Sequence, residues 1–170
     1  MKKSIRRGLT TFAVATAVKK AGPCLVLVFV AGCMPAPATS NTPEGGSPMP
    51  SSIVDPYLKI QTSLVGDSLD EVKANAGNIA TAATPLGAPA FKIGTAALQL
   101  ASATELPDAR AKFGTLSDTI ITYMDGLHLT PPEGVHIAQC ETTRKQWLQE
   151  GESVSNPYDG SSAPACGSFR

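Results

Sequence analysis

Catalytic motifs are absent from this sequence of 170 residues. It has two histidines, too few for most catalytic metal centres, and it lacks a phosphate-binding glycine loop, a His-Glu-x-x-His motif and a Gly-x-Ser-x-Gly motif. The adjacent acids Asp70 and Glu71 have the spacing of helix-capping residues rather than of an acid–base pair. We therefore predict that the chain is not an enzyme.

Long apolar runs are also scarce near the N-terminus. The run at residues 25–29 is too short to span a bilayer, which takes about 20 residues. Basic residues precede it, and it leads into Val-Ala-Gly-Cys at residues 30–33, which is the layout of a bacterial lipoprotein signal. Small residues there let a peptidase reach the backbone, and the Cys33 sulfur then receives a lipid. We expect residues 1–32 to be the signal peptide and Cys33 to anchor the mature protein to a membrane outside the cytoplasm.

Two alternatives remain for this region. An uncleaved leader would be a retained anchor, which changes the tether but not the compartment. The arginines at positions 6 and 7 suggest a twin-arginine signal, although the three residues that follow match that signal poorly. Met34, not an aspartate, follows Cys33, and this favours the periplasmic side of the outer membrane if the cell is Gram-negative.

Positive charge is scarce in the predicted mature chain. All 14 acidic residues but only 8 of the 14 basic residues lie after position 32, which leaves an excess of six negative charges. A surface of this sign disfavours nucleic acid as a partner and is compatible with cationic partners.

Cysteine is used sparingly, and the predicted cleavage leaves two thiols. Cys24 lies in the leader and Cys33 takes the lipid, so Cys140 and Cys166 remain. In an oxidising compartment an isolated pair forms a disulfide by default. A thiolate metal site at the same two residues is the alternative.

Composition divides the mature chain into two parts. Residues 33–52 consist mainly of Pro, Ala, Ser, Thr and Gly and carry one charge, which predicts a flexible tether. Residues 53–168 form the predicted folded domain, which is long enough for one modest core. We interpret the single thioethers of Met34 and Met49 as incidental to metal binding.

Apolar residues recur at helical spacing from residue 53 to residue 127 and predict four helices. The first ends near Gly66. Ser68 and Glu71 form a predicted capping box that opens the second. Prolines at positions 85 and 89 separate the second helix from a short third one, which carries Phe91, Gly94, Ala97, Leu98 and Ala101.

The fourth helix has the most regular pattern. Its predicted cap is Ser102 or Thr104, Pro107 falls in its first turn, and Gly126 closes it. One narrow apolar seam runs along it and comprises Ala109, Phe113, Leu116, Ile120, Tyr123 and Leu127. A seam of this kind predicts packing within a bundle.

The pattern changes after the two prolines at 131 and 132. Residues 135–140 look extended, and the rest is rich in turn-forming residues. We predict an all-α fold, a small four-helix bundle with an irregular, turn-rich C-terminal segment. Cys140, Cys166 and Trp147 are the residues expected to fix this segment to the bundle.

The C-terminal segment carries a resemblance to a known family. Its motifs are Cys140, Trp147-Leu148, Asn-Pro-Tyr-Asp-Gly at 156–160 and Cys166-Gly167, joined by Asp-Pro-Tyr-Leu at 55–58 and Phe-Gly-Thr-Leu-Ser-Asp at 113–118. Over residues 54–168 the chain resembles a helical domain without an assigned function. That domain occurs in heavy-metal-associated bacterial lipoproteins and in membrane-fusion adaptors of copper and silver efflux pumps. The resemblance implies a role in handling Cu(I) or Ag(I).

The chain departs from that family at two positions. The family usually has Cys-Pro-Met at the first cysteine and a methionine three residues before the last, whereas Thr142 and Ala163 stand here. Two thiolates and two thioethers would suit Cu(I) or Ag(I), but both thioethers are missing. The remaining candidate ligands are Cys140, Cys166 and His136, which shares a strand face with Cys140. His128, just past the fourth helix, could approach them.

Two functions follow from these observations. The first is a membrane-anchored accessory protein of heavy-metal handling, which binds metal or contacts an efflux component. The second is a structural or interaction lipoprotein whose metal site has decayed and whose Cys140 and Cys166 form a disulfide. The resemblance favours the first, and the missing methionines favour the second.

Overall fold

The structure is a computed structural model that describes residues 46–161 and 166–170. The predicted signal peptide, Cys33 and most of the predicted tether lie outside these residues. The described part contains four α-helices and one three-stranded antiparallel sheet: α1 Ser51–Val65, α2 Val72–Ala83, α3 Phe91–Ala101, α4 Leu106–Leu127, β1 Val135–Gln139, β2 Gln146–Glu150 and β3 Ser168–Phe169. None of the described helices is both long enough and apolar enough to cross a membrane.

The prediction of an all-α fold is wrong. The segment predicted to be irregular forms a sheet of order β2-β1-β3, in which Ile137 pairs with Leu148 and Ala138 pairs with both Trp147 and Phe169. β1 was visible in the sequence as an extended stretch, but β2 was not. Residues 147–149 are all buried, because both faces of β2 are covered, so the strand lacks the polar–apolar alternation that marks a half-buried strand.

The four predicted helices are confirmed. Consecutive helices pack against each other, and two short 3-10 turns, Thr84–Leu86 and Ala88–Ala90, join α2 to α3. The α4 seam is fully buried from Ala109 to Ile120, but Tyr123 is half-buried and Leu127 is 47% exposed. β2 packs across α1 and α4, so helices and sheet share one core.

The predicted helix caps are wrong in three places. Ser68 accepts a hydrogen bond from the backbone of Asp70 (2.8 Å), and Glu71 is left-handed (φ 62°), so no capping box forms and α2 begins at Val72. Glu105 precedes α4 without a side-chain cap, although Pro107 does lie in the first turn. His128, also left-handed (φ 54°), ends α4 in place of the predicted glycine.

A short strap precedes α1 and fixes the start of the domain. The Met49 amide donates to the Thr130 carbonyl (2.8 Å), and the Thr130 amide donates to the Ser47 carbonyl (3.0 Å). The Met49 side chain is 1% exposed and belongs to the core. Residues 47–49 thus contact the folded domain, and Met49 is a packing residue.

Replacing Leu116 with alanine should lower the free energy of unfolding by about 2–4 kcal/mol, because Leu116 is fully buried in the α4 seam. The surface change Lys112→Ala removes one ion pair, with Asp108 (2.8 Å), and should cost less than about 1 kcal/mol. Urea denaturation of both variants checks this. Equal midpoints would show that the seam does not carry the core.

Candidate functional site

A disulfide joins Cys140 to Cys166, with the two Cα atoms 5.2 Å apart, which confirms the predicted pairing. Cys140 follows β1 directly and is fully buried. Cys166 lies two residues before β3. The bond therefore closes the chain end against the middle strand of the sheet and occupies both sulfur atoms.

The structure does not bring the predicted metal ligands together. His136 is exposed on β1, and its ring lies against Phe169 at 5.0 Å between centroids. Cys140 is buried and lies four residues after His136, a separation of about 13 Å along an extended chain, so the two side chains are too far apart to share a metal ion. His128 is exposed at the end of α4. Among the described residues, no three His, Cys, Asp or Glu side chains are grouped closely enough to share a metal ion.

An aromatic cluster lies beneath the sheet and joins it to the helices. Ring centroids are separated by 4.9 Å between Tyr57 and Phe113, 5.9 Å between Phe113 and Tyr158, and 5.8 Å between Tyr158 and Trp147. Gly167 passes so close to the indole that an added Cβ would lie 2.9 Å from Trp147 Cη2. Residues of the motifs that carry the family resemblance thus pack against one another, and their role here is structural.

Two buried phenols provide the polar links of this cluster. Tyr57 Oη lies 2.6 Å from Ser117 Oγ and accepts from the Leu148 amide (3.2 Å), which ties α1 to α4 and β2. Tyr158 Oη donates to the Gln146 carbonyl (2.7 Å). Burial raises the pKa of Tyr57 and of Tyr158 well above the usual tyrosine range, so both phenols stay protonated and serve as structural hydrogen-bonding groups.

Buried amide side chains hold the turns around the disulfide. Gln149 Oε1 accepts from the Trp147 indole (2.9 Å) and from the Ser155 amide (3.0 Å), and its Nε2 donates to the Ser153 carbonyl (2.8 Å). Asn156 Nδ2 donates to the Cys166 carbonyl (3.1 Å). The Asn-Pro-Tyr-Asp-Gly motif is therefore a turn that closes the tail.

A salt bridge outside the sheet completes the attachment of the tail. Arg110 on α4 pairs with Asp67 and donates to the backbone carbonyls of Leu64 (3.0 Å) and Pro157 (3.1 Å). Asp67 also accepts hydrogen bonds from the amide and hydroxyl of Ser161. Gly160 is left-handed (φ 72°), and a Cβ there would overlap the Asp67 carboxylate. We call Arg110, Asp67 and Ser161 the clamp. It could not be predicted from the sequence, because its members are far apart in the chain and match no motif.

The clamp makes the domain sensitive to acid. The hydrogen bonds from Ser161, followed by those from Arg110, lower the pKa of Asp67 from 3.8 to about 2. A carboxyl whose pKa is lower in the folded state stabilises the fold above its unfolded pKa, and that contribution is lost as pH falls from about 4 to about 2. We expect Asp67→Asn to flatten this part of the stability–pH curve measured by urea denaturation. Asp70→Asn, which changes an exposed neighbouring residue, is the control and should flatten the curve less. Equal changes in the stability–pH curves of both variants would contradict the assignment of the acid sensitivity to Asp67.

Comparison with known proteins identifies no relative. No family model, no curated protein and no solved structure matches the chain. Every buried side-chain polar atom of the described residues has a hydrogen-bond partner. In this site the two thiols form a disulfide, the two buried phenols are protonated, and the buried amide side chains have their hydrogen-bond partners within the fold.

Proposed function

We propose that this chain is an exported, lipid-anchored accessory protein that acts through contacts with a partner and not through metal ligation by its cysteines. The single observation that supports this most strongly is the Cys140–Cys166 disulfide. A disulfide supplies no thiolate, and thiolate is the form of cysteine that binds Cu(I) or Ag(I). The exposed position of His136 also leaves it outside any site centred on these sulfurs.

The heavy-metal context of this proposal comes from the sequence resemblance. A component of a copper or silver efflux system, which the resemblance implies as a partner, would be the protein contacted. The missing methionines agree with this division of roles, because a contact protein has no need of thioether ligands.

The anchor is part of the proposal and has its own test. Cys33→Ala should abolish labelling by a radioactive fatty acid and leave uncleaved precursor, because the signal peptidase requires the lipid-modified cysteine. Cys24→Ala, in the leader, is the matched control and should be labelled normally. A mature N-terminus at another residue, without lipid, would overturn the anchor.

The mode of action is tested by counting thiols. Protein taken from its native compartment and alkylated at once should show neither Cys140 nor Cys166 as free thiol. In a Cu(I) competition against a chelator, the oxidised protein should then take no more copper than the Cys140→Ser, Cys166→Ser double variant.

Two free thiols together with a tight stoichiometric copper complex would overturn this mode of action and support a metal carrier instead. His136→Ala then identifies the third ligand, since it would weaken that complex. A strain that lacks the chain should also show altered copper or silver tolerance, restored by the oxidised wild type. Unchanged tolerance would remove the heavy-metal context.

A further inference from the structure

One end of the helix bundle receives the chain from the predicted tether. The strap at residues 47–49 is bonded to Thr130, just after α4. The strap brings the start of α1 to the end of α4, and one groove brings the start of α3 beside the end of α4. Two short 3-10 turns join the end of α2 to the start of α3, so these four helix ends lie together. We call it the tether end and define it by residues 84–92 and 123–130.

The tether end exposes apolar side chains that the core does not use. Three large hydrophobic side chains are exposed in the described part of the chain: Phe91 (73%), Leu98 (61%) and Leu127 (47%). Phe91 and Leu127 line one groove of the tether end together with Tyr123. Leu98 continues the face along α3, seven residues and two turns after Phe91. Isolated exposed hydrophobics need no explanation, but a contiguous group marks an interaction surface.

Charge distinguishes the two ends of the bundle. Residues 72–104 contain no aspartate or glutamate, and residues 84–90 carry no charge at all. Lys92 adds a cation beside Phe91, while Asp125 nearby is paired with Arg170 (3.4 Å). The opposite end holds five acids, which are Asp67, Asp70, Glu71, Glu105 and Asp108. Two of them, Asp67 and Asp108, are paired with Arg110 and Lys112. In the described part of the chain, the tether end therefore combines two of the three exposed large hydrophobic side chains with a cation, and the opposite end is the more acidic.

We propose that the tether end docks onto the lipid surface in which the Cys33 acyl chains are inserted. This inference rests on the proposed anchor. Whatever their conformation, the 13 residue steps from Cys33 to Gly46 span at most about 45 Å, so the domain stays beside the bilayer. The far end of α4 lies about 33 Å from the tether end, which is therefore the part held closest to the lipid.

The side chains of the face match a bilayer interface. Phe91 and Leu127 enter the apolar boundary, Tyr123 suits the headgroup level with its amphipathic ring, and Lys92 meets anionic headgroups. The five acids then face away from the anionic surface. The tether supplies a high local concentration of lipid, so a small face suffices to orient the domain.

Quenching by brominated lipids tests the proposal on the full lipidated protein. It is reconstituted in vesicles of phosphatidylethanolamine and phosphatidylglycerol, with bromine on part of the acyl chains. Trp147 is fully buried and gives the background signal in every sample. Phe91→Trp and Leu127→Trp should each add emission that is blue-shifted and lost on bromination. Thr104→Trp, exposed at the opposite end, is the matched control and should add emission that bromination leaves unchanged.

The outcomes separate this inference from the proposed function. A chain that does not float with the vesicles overturns both the anchor and the docking. A chain that floats, but in which Phe91→Trp and Leu127→Trp are quenched no more than Thr104→Trp, overturns the docking alone. Shielding of these residues in native membranes but not in pure lipid would assign the face to a protein partner and would also overturn it.

A second measurement uses the wild-type protein, so its result does not depend on whether the tryptophan variants fold. Amide hydrogen exchange of the wild-type protein should slow at residues 86–92 when detergent micelles are replaced by vesicles. Exchange at residues 67–71, at the opposite end, should not change. Equal exchange at both ends in vesicles and micelles would contradict the docking.

Discussion

Replacement of Trp147 with alanine is expected to lower the free energy of unfolding by about 3–5 kcal/mol, the range for truncating a buried aromatic core residue. Trp147 is fully buried and packs edge-on against Tyr158. Its indole also donates a hydrogen bond to Gln149, whose side-chain amide is hydrogen-bonded to the backbone of Ser153 and Ser155. The substitution therefore removes core packing and leaves a buried amide without one of its partners.

Urea denaturation followed by circular dichroism measures this loss, because tryptophan fluorescence disappears in the variant. Phe91→Ala is the matched control: it also truncates an aromatic residue, but one that is 73% exposed, and should change stability by less than about 0.5 kcal/mol. Similar losses in the two variants would show that Trp147 is not the centre of the packing between sheet and helices.

Removal of the disulfide has the second large expected effect. Cys140 and Cys166 are separated by 26 positions, and closing such a loop stabilises the fold by about 3–4 kcal/mol in the chain-entropy model. Reduction should therefore lower the urea midpoint of the wild type. We expect α1 to α4 to persist under mild conditions, since consecutive helices pack against one another and neither cysteine lies on a helix, while β3 separates from β1.

Hydrogen exchange locates the loosened part, and protection should fall first at residues 166–170 and along β1. The Cys140→Ser, Cys166→Ser double variant should match the reduced wild type and should not respond to reductant. A wild type with the same midpoint in both redox states would contradict a stabilising role for the bond.

The helices could be predicted from the sequence, whereas the sheet could not. α3 and α4 bury one face each, so the helical period is visible in residues such as Ile93, Ala97 and Leu100. β2 is covered on both faces and includes a buried glutamine, Gln149, so neither alternation nor hydrophobicity marks it as a strand. The ends of the helices were harder to predict, because Glu71 and His128 adopt left-handed backbone conformations, which residues other than glycine rarely adopt.

The candidate site was predictable in part. The disulfide follows from counting thiols in an oxidising compartment, a rule that needs no geometry. His136 was a candidate ligand because it was expected to share a strand face with Cys140, but it is exposed on β1 whereas Cys140 is buried just after the strand, which ends at Gln139. The Arg110–Asp67 clamp joins residues 43 positions apart, and no local pattern reports such a contact.

The strap at residues 47–49 has a mechanical consequence for a protein held at its N-terminal side. Any pull transmitted along the tether reaches the domain first at the two backbone hydrogen bonds with Thr130 and at the buried Met49 side chain. α1 begins only at Ser51, so the force reaches its first turn only after the hydrogen bonds of the strap have broken. As long as the hydrogen bonds of the strap are intact, a force on the tether does not reach α1 and cannot unwind it.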